Sequence, residues 1–537
     1  MSDEATWTQR RGSTRQLLLL WVLPLVFLLV FFFYPLGAIF RIAAEAPLVD
    51  GARGGSVVAR ALGFTLWQAL LSMLLTMLAG LPAAYLFARF DFTGKRLLRV
   101  LTTLPFIMPT VVVAASFNAL LGPRGLANLF LMDAFGLATP PIRLLNSLGA
   151  ILLAHVFYNT TVVIRMVGTA WAQLDPRLGQ AARVLGASPL RTLREVTLPL
   201  LMPSILSAAL LVFLFDFTSF GVILLLGGPR YATIEVEIYI QALQMLNLPL
   251  AGVLSAVQLA CTLLITLAYS RLGGREVVPL SPRLQGEGTT RPVTWRQRLV
   301  VALLAVGVFL LLVSPLAALA ARSVTRLEAE RGQRGEVMTG LTLDYYRELF
   351  VNRRGSLFYV PPAQAARNSL VYAGSTVALS LVMGFLAAYA LARRSKINRV
   401  LDPLLMLPLG ASAVTLGLGY VIVFNRPPID VRSFPALIPI AHSLVALPFV
   451  VRTLQPALAS IPVNLLNAAA VLGASPLRAW REVELPIVGR AAAVAAIFSF
   501  TISLGEFGAT SFLARPEYPT LPIAIYRFLS QPGALNY

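Results

Sequence analysis

Two acids stand inside long apolar runs of this chain: Asp216, in Phe215-Asp216-Phe217-Thr218, and Glu506, in Leu504-Gly505-Glu506-Phe507-Gly508. An ionisable side chain at membrane depth is costly, so each is by default a candidate functional residue. Three readings stand open for them: a part in a translocation pathway or gate, a structural hydrogen bond, or a position near the interface. The only two histidines are His155 and His442, 287 positions apart. Either could ligate a metal, but no Cys, His or carboxylate accompanies it at ligand spacing. An interhelical hydrogen bond is therefore the favoured reading, and no metal site is expected. No set of nucleophile, base and orienting group occurs together in sequence, so no catalytic residues are expected. Arg165 and Arg452, close to the ends of their apolar runs, are expected to snorkel toward the interface.

These residues can act only if long helices hold them, and the composition demands such helices. Of the 537 residues 57% are hydrophobic and only 13% charged, against about a quarter charged in soluble globules; the mean hydropathy is +0.76. Stretches able to cross a hydrocarbon layer of roughly 30 Å fall at 17–40, 62–88, 98–121, 147–171, 200–226, 250–272, 299–321, 368–392, 398–424, 436–457 and 487–513. The chain is thus expected to be an all-α polytopic membrane protein with about eleven spans. Its net charge of +20 does not point to nucleic acid, because the cations cluster between spans. Arg10, Arg11 and Arg15, then Arg89, Lys95, Arg96 and Arg99, then Arg393, Arg394, Lys396 and Arg399 mark cytoplasmic segments by the positive-inside rule. The linker with Arg275, Arg283, Arg291, Arg296 and Arg298 falls on the same side. A cytoplasmic N-terminus and a multi-pass protein of the bacterial inner membrane follow. The first span has no small-residue cleavage site and is expected to be a retained anchor. The lone Cys261 reads as a packing residue.

A second pattern organises the whole chain. Residues 180–199 reappear at 467–486 with fifteen of twenty identical: QAARVLGASPLRTLREVTLP against NAAAVLGASPLRAWREVELP. At the same offset of 287, His155 maps onto His442, Arg165 onto Arg452 and Ser219 onto Glu506. Earlier, Ala83-Ala84-Tyr85 matches Ala387-Ala388-Tyr389 at an offset of 304. Six spans separate the two blocks, so the halves are parallel repeats, a pseudo-dimer with its pathway expected between them. Tyr537 corresponds to Leu250, where the sixth span begins; a twelfth span is missing, and an incomplete C-terminus is the expected reason.

Each block is polar and basic between apolar runs, so it is expected to lie exposed on the cytoplasmic face. Ser188 and Pro189, like Ser475 and Pro476, suit an N-cap and first turn, giving helix, short turn, helix. The small residues at 181, 182, 186 and 187 would let a partner approach, with 182 and 186 on one helical face. Leu198-Pro199 and Leu485-Pro486 return the chain to the membrane.

The spaced pattern resembles the EAA motif of permease subunits of type I ABC importers. It is carried by Gln180, Ala181, Ala182, Gly186, Val196, Leu198 and Pro199, and again by Asn467, Ala468, Ala469, Gly473, Val483, Leu485 and Pro486. Gln180 and Asn467 stand where the motif has Glu, and valine replaces isoleucine; a salt bridge from the first position is therefore not expected. The resemblance implies two parallel copies of the type I importer permease fold, each block acting as a coupling helix on a cytoplasmic ATPase. A single chain with both halves is similar to the fused permeases of thiamine and ferric-iron importers. Gly227-Gly228-Pro229 followed by Ala232-Thr233-Ile234-Glu235 and Ile238-Tyr239 fits the thiamine branch. The string around Glu506 is shared with molybdate and sulfate permeases, and a polyamine or another small solute is a further alternative.

The expected organisation is an N-terminal tail, first helix and outer loop at 1–58, a first permease domain at 59–272 and a cytoplasmic linker at 273–298. A seventh helix with a long outer loop at 299–365 then precedes a second permease domain at 366–537. Gly94-Lys95 lacks the other glycines of a phosphate-binding loop, so no cofactor is expected in this chain. ATP and Mg would be bound by the partner ATPase. The expected partners are two ABC ATPase subunits, an extracytoplasmic solute-binding protein and the lipid bilayer, with no nucleic acid. Pathway candidates are Asp216, Ser219, Glu506, His155 and His442. An ion-coupled secondary transporter is the competing class, and it would leave the paired blocks without a partner.

Overall fold

The computed structural model describes residues 14–45, 51–228, 230–273, 289–326, 340–351, 360–393, 395–426, 429–430 and 434–530. Arg10, Arg11, Pro229, Arg275, Arg283, Arg394 and the segment 531–537 lie outside the described residues. Among the described residues, ten helices are long and apolar enough to cross a membrane. An eleventh crossing results if the bent pair Asn398–Gly410 and Ala413–Val423 counts as one. Shorter helices and two short antiparallel pairs, Thr325–Arg326 with Gly340–Leu341 and Asn425–Arg426 with Ile429–Asp430, also occur among the described residues.

Four expected spans are not continuous helices. The run 98–121 is divided into Lys95–Leu101, Leu104–Ile107 and Thr110–Leu121. Pro105 and Pro109 lack an amide donor, and Met108 before Pro109 is extended with ψ 131°, as the residue before proline prefers. The run 398–424 bends by 95° between Gly410 and Ala413, where Ser412 Oγ caps the new helix by accepting from Thr415 N at 3.0 Å. The run 200–226 stops at Phe217 and resumes at Gly221, and 487–513 stops at Gly505 and resumes at Gly508. Hydropathy is continuous through all four breaks, which is why apolar length alone does not reveal them.

The chain forms two compact units. One holds most of the first repeat and the Trp295–Ser323 helix; the other holds the second repeat, the Leu19–Glu45 helix and residues 238–259 of the first repeat. Each unit therefore includes the long helix that precedes the other repeat. In the first unit Val308 and Leu312 join a core with Val113, Ala114 and Phe117, and Arg322 Nη1 donates to the Arg124 carbonyl at 2.9 Å. In the second, buried Trp21 donates from Nε1 to Asn398 Oδ1 at 3.2 Å. Asn398 Nδ2 in turn satisfies the carbonyls of Ala390 and Arg393 at the end of the Pro362–Leu391 helix.

Inside each unit the same three helices pack together: Gly51–Arg89, Leu148–Gln173 and Leu198–Phe217, or Pro362–Leu391, Leu437–Ala459 and Leu485–Gly505. The first two approach closely at one equivalent point. A Cβ on Gly80 would lie 2.6 Å from Val163 Cβ, and one on Gly384 would lie 2.4 Å from Val450 Cγ1. Small residues at such contacts let backbones approach where no hydrophobic force drives helices together. Gly80→Ala or Gly384→Ala should therefore overpack its unit by about 1–3 kcal/mol and lower the melting temperature of the purified protein. Val163→Ala or Val450→Ala in the same repeat should restore most of the loss, and an unaltered melting temperature in the glycine variants would refute the contact.

Candidate functional site

The two blocks adopt one structure twice. The first runs through Pro176–Val184 and Pro189–Thr192, then a π-helical turn Leu193–Thr197 into Leu198–Phe217; the second runs through Val463–Val471, Pro476–Ala479 and Trp480–Glu484 into Leu485–Gly505. Ser188 and Ser475 cap as their types suggest, accepting from Arg191 N at 3.3 Å and Arg478 N at 3.4 Å. Arg191 pairs with Glu195 and Arg478 with Glu482, each at 3.0 Å. These exposed pairs contribute little energy but repeat faithfully.

The block glycines do a different job from the one expected. Gly186 does not share a helical face with Ala182, nor Gly473 with Ala469, because each lies past the end of its helix with φ of +88° and +79°. Ala187 N bonds back to Ala182 O, and Ala474 N to Ala469 O, at 3.0 Å each, the closure a left-handed glycine allows. Nothing lies within 4 Å of a Cβ built on either glycine, so the outer side of the turn is open.

Around that turn the block presents apolar side chains outward. Val184, Leu185 and Leu190 are 86%, 88% and 74% exposed, and their equivalents Val471, Leu472 and Leu477 are 87%, 86% and 73% exposed. Gln180, Ala181, Leu198, Pro199, Asn467, Ala468, Leu485 and Pro486 are also exposed, while Ala182, Val196, Ala469 and Val483 are half-buried. The motif positions thus divide into those that build the turn and those left open to a partner.

The acids and histidines meet inside each unit, away from the blocks. In the first unit buried His155 comes from the Leu148–Gln173 helix, and Asp216 from the last turn of Leu198–Phe217. His155 Nδ1 lies 2.9 Å from Ser72 Oγ and 3.3 Å from Asp216 Oδ1, while Nε2 lies 2.9 Å from Ser219 Oγ. Asn159 Nδ2 donates to Asp216 Oδ1 at 2.7 Å, and Gln68 Nε2 donates to the Asp216 carbonyl at 2.8 Å. Asp216 is fully buried, and its Oδ2 has no hydrogen-bond partner among the described residues.

In the second unit His442 Nδ1 lies 2.8 Å from Ser503 Oγ; its Nε2 lies 2.8 Å from Thr510 Oγ1 and 3.1 Å from Glu506 Oε2. Glu506 follows the last residue of its helix and caps the next one. Its carboxylate accepts from Ala509 N at 2.8 Å, Thr510 N at 3.0 Å and Thr510 Oγ1 at 2.7 Å. A carboxylate at a helix N-terminus satisfies amides that have no partner in the helix and meets the positive end of the dipole.

The two clusters occupy the same positions with acid and hydroxyl exchanged. At the 287 offset Asp216 corresponds to Ser503 and Ser219 to Glu506; the histidine has its acid on the Nδ1 side in one repeat and on the Nε2 side in the other. Neither acid is exposed, and among the described residues no group of three or more His, Cys, Asp and Glu is poised for a metal. Ser72, Ser503 and Thr510 escaped notice in the sequence as ordinary small polar residues. The repeat alignment carries a signal for Ser503, opposite Asp216, and for Ser72, opposite Thr376 at the 304 offset. Asn159 maps onto Ala446, so nothing in the repeat flags it. Arg452, expected to snorkel, pairs with Asp402 at 3.2 Å.

The exchange predicts unequal effects of neutralising the two acids. Glu506→Gln keeps one acceptor oxygen and turns the other into an amide donor, so either Ala509 N or Thr510 N loses its partner; the change should cost about 1–2 kcal/mol, as other lost caps do. Asp216→Asn can keep its carbonyl oxygen toward Asn159, placing the new amide where Oδ2 has no partner. Melting temperatures of the two purified variants check this: Glu506→Gln should fall by about one to two degrees more, and equal losses would remove the capping role.

Comparison with known proteins agrees with this duplicated architecture. The chain is 28% identical over 483 residues to Thiamine transport system permease protein ThiP of Brucella abortus, covering 88% of this chain and 82% of that protein. It is 28% identical over 489 residues to ThiP of Escherichia coli, covering 88% and 84%. A probable ABC transporter permease protein of Sinorhizobium fredii is 26% identical over 477 residues, covering 87% and 81%. The family model described as binding-protein-dependent transport system inner membrane component matches residues 77–274 and again 380–531, one match for each repeat. Together with the two blocks and the multi-pass helical units, this places the chain in that family: it is a membrane-spanning permease subunit of an ATP-binding cassette importer.

Proposed function

We propose that the chain forms the translocation pathway of a thiamine importer and receives two ATPase subunits, one on each block. The observation that carries the docking reading is the identical set of outward apolar side chains, Val184, Leu185 and Leu190 against Val471, Leu472 and Leu477, each at least 73% exposed. Exposed apolar clusters with a polar rim are what protein interfaces use. Here Arg191–Glu195 and Arg478–Glu482 supply the polar edge. In this reading the blocks and the N-terminus face the cytoplasm, and a solute-binding protein delivers cargo to the opposite side. ATP and Mg bind the ATPase subunits, and the permease itself is not catalytic. Thiamine is favoured because the Brucella abortus and Escherichia coli relatives carry that name over most of both chains. Asp216, Ser219, Glu506, His155 and His442 then act by holding the helix breaks of the two repeats, through which movement at the blocks reaches the membrane.

Coupling is tested by putting a charge into each apolar set. Removing a hot-spot residue, the kind that clusters at the centre of an interface, costs 2 kcal/mol or more, about thirtyfold in affinity. Leu185→Asp or Leu472→Asp should weaken ATPase binding at one block, and the double variant should lose both the ATPase on copurification and ATP-driven uptake. Full ATPase retention by the double variant would exclude docking at the blocks. Cargo is tested separately by uptake of radiolabelled thiamine into vesicles holding the assembled importer. Uptake of ferric iron, molybdate or another solute without thiamine would replace the cargo and leave the docking reading standing.

A further inference from the structure

A cleft of about 1030 Å³ opens in the first-repeat unit where the Gly51–Arg89 and Leu148–Gln173 helices end beside Lys95–Leu101. The chain enters the first block from the end of this cleft, since Gln173 lines it and the Pro176–Val184 helix follows. Four cations, Lys95, Arg96, Arg99 and Arg165, line the cleft with a single carboxylate, Asp91. Lys95 is committed, its Nζ donating to the Phe90 carbonyl. The guanidinium groups of Arg96, Arg99 and Arg165 are exposed and make no ion pair among the described residues.

The second repeat serves as an internal reference for this charge. Arg452 is the equivalent of Arg165, and Asp402 holds it at 3.2 Å. Arg99-Val100-Leu101-Thr102 aligns with Arg399-Val400-Leu401-Asp402 at an offset of 300, between the offsets of 304 and 287 found on either side. The position that supplies the counter-ion in one repeat is thus threonine in the other. A guanidinium that is neutralised internally in the second repeat faces an open cleft in the first, with two further arginines beside it.

We propose that this cleft binds a phosphate-bearing anion, which takes the place of the missing carboxylate. Guanidinium forks match phosphate oxygens in paired hydrogen bonds, and low-dielectric walls concentrate the field of the three unpaired cations. Basic pockets between membrane helices select anionic headgroups on these grounds. The same chemistry can come from a lipid headgroup or from free phosphate, and binding needs neither the assignment of cargo nor that of the ATPase site.

The test uses the full-length chain purified in an uncharged detergent, with its melting temperature followed on titration at constant ionic strength. The probes are short-chain phosphatidylglycerol, short-chain phosphatidylcholine and inorganic phosphate. Stabilisation by phosphatidylglycerol but not phosphatidylcholine assigns the cleft to a lipid headgroup, and stabilisation by inorganic phosphate alone assigns it to a free anion. In either case Arg99→Gln with Arg165→Gln should raise the half-saturating concentration roughly thirtyfold, about fivefold per cation. Arg452→Gln, whose arginine already has its acid, should leave that concentration unchanged. The melting temperature of each variant without probe reports its folding independently. The proposal is overturned if neither anion stabilises the protein, or if the double variant responds like the unaltered chain.

Discussion

A backbone amide or carbonyl in hydrocarbon must find a partner within the protein, because no water is there to supply one. Everything unusual in this fold answers to that requirement. Unbroken helices meet it by themselves; the breaks after Phe217 and Gly505 cannot, and at each a polar cluster gathers from three elements of the repeat. Glu506 shows the solution most plainly, with both carboxylate oxygens spent on Ala509, Thr510 and His442. The histidine is then the buried hub that ties the break to the most enclosed helix of its unit, the favoured interhelical hydrogen bond realised in two versions.

The same economy appears where helices touch. Glycines at 80 and 384 permit close packing against valines at 163 and 450, so each repeat is stiffened by contact at one point. The blocks lie at the other extreme. Their serine caps, left-handed glycines and short ion pairs fix a local shape, and a surface set by its own turn geometry can stay apolar and open without loosening the helices it joins.

Much of this was legible before any coordinates. Ser188-Pro189 and Ser475-Pro476 announced the second helix of each block, and the apolar runs pointed to about eleven crossings, against ten among the described residues, or eleven with the bent pair. The repeat offset set Ser219 opposite Glu506, and both now prove to face the Nε2 side of their histidine. What stayed hidden depends on information that hydropathy does not carry. Leucine and phenylalanine run straight through the break at Glu506, where only the flanking Gly505 and Gly508 hinted at a change. The 95° bend at Ser412 needed the capping geometry itself. Spacing alone makes Gly186 a surface for close approach, whereas its positive φ makes it the residue that ends the helix; a spacing rule cannot tell the two apart. That Trp21 would reach Asn398, 377 positions away, is a tertiary fact with no local trace.

The transposition of acid and hydroxyl around the two histidines bears on why the halves share one polypeptide. In a homodimer encoded by a single half-length gene, any substitution appears in both subunits, so an acid could not migrate to opposite flanks of the imidazole in the two. Fusion, or separate genes, lifts that restriction and lets each copy explore compensating changes alone. The Asp402 beside Arg452 with no counterpart beside Arg165 bears the same mark of independent drift. The duplicated chain is therefore symmetric where both copies answer to the same demand, and individual where one copy's history could diverge without disabling the other.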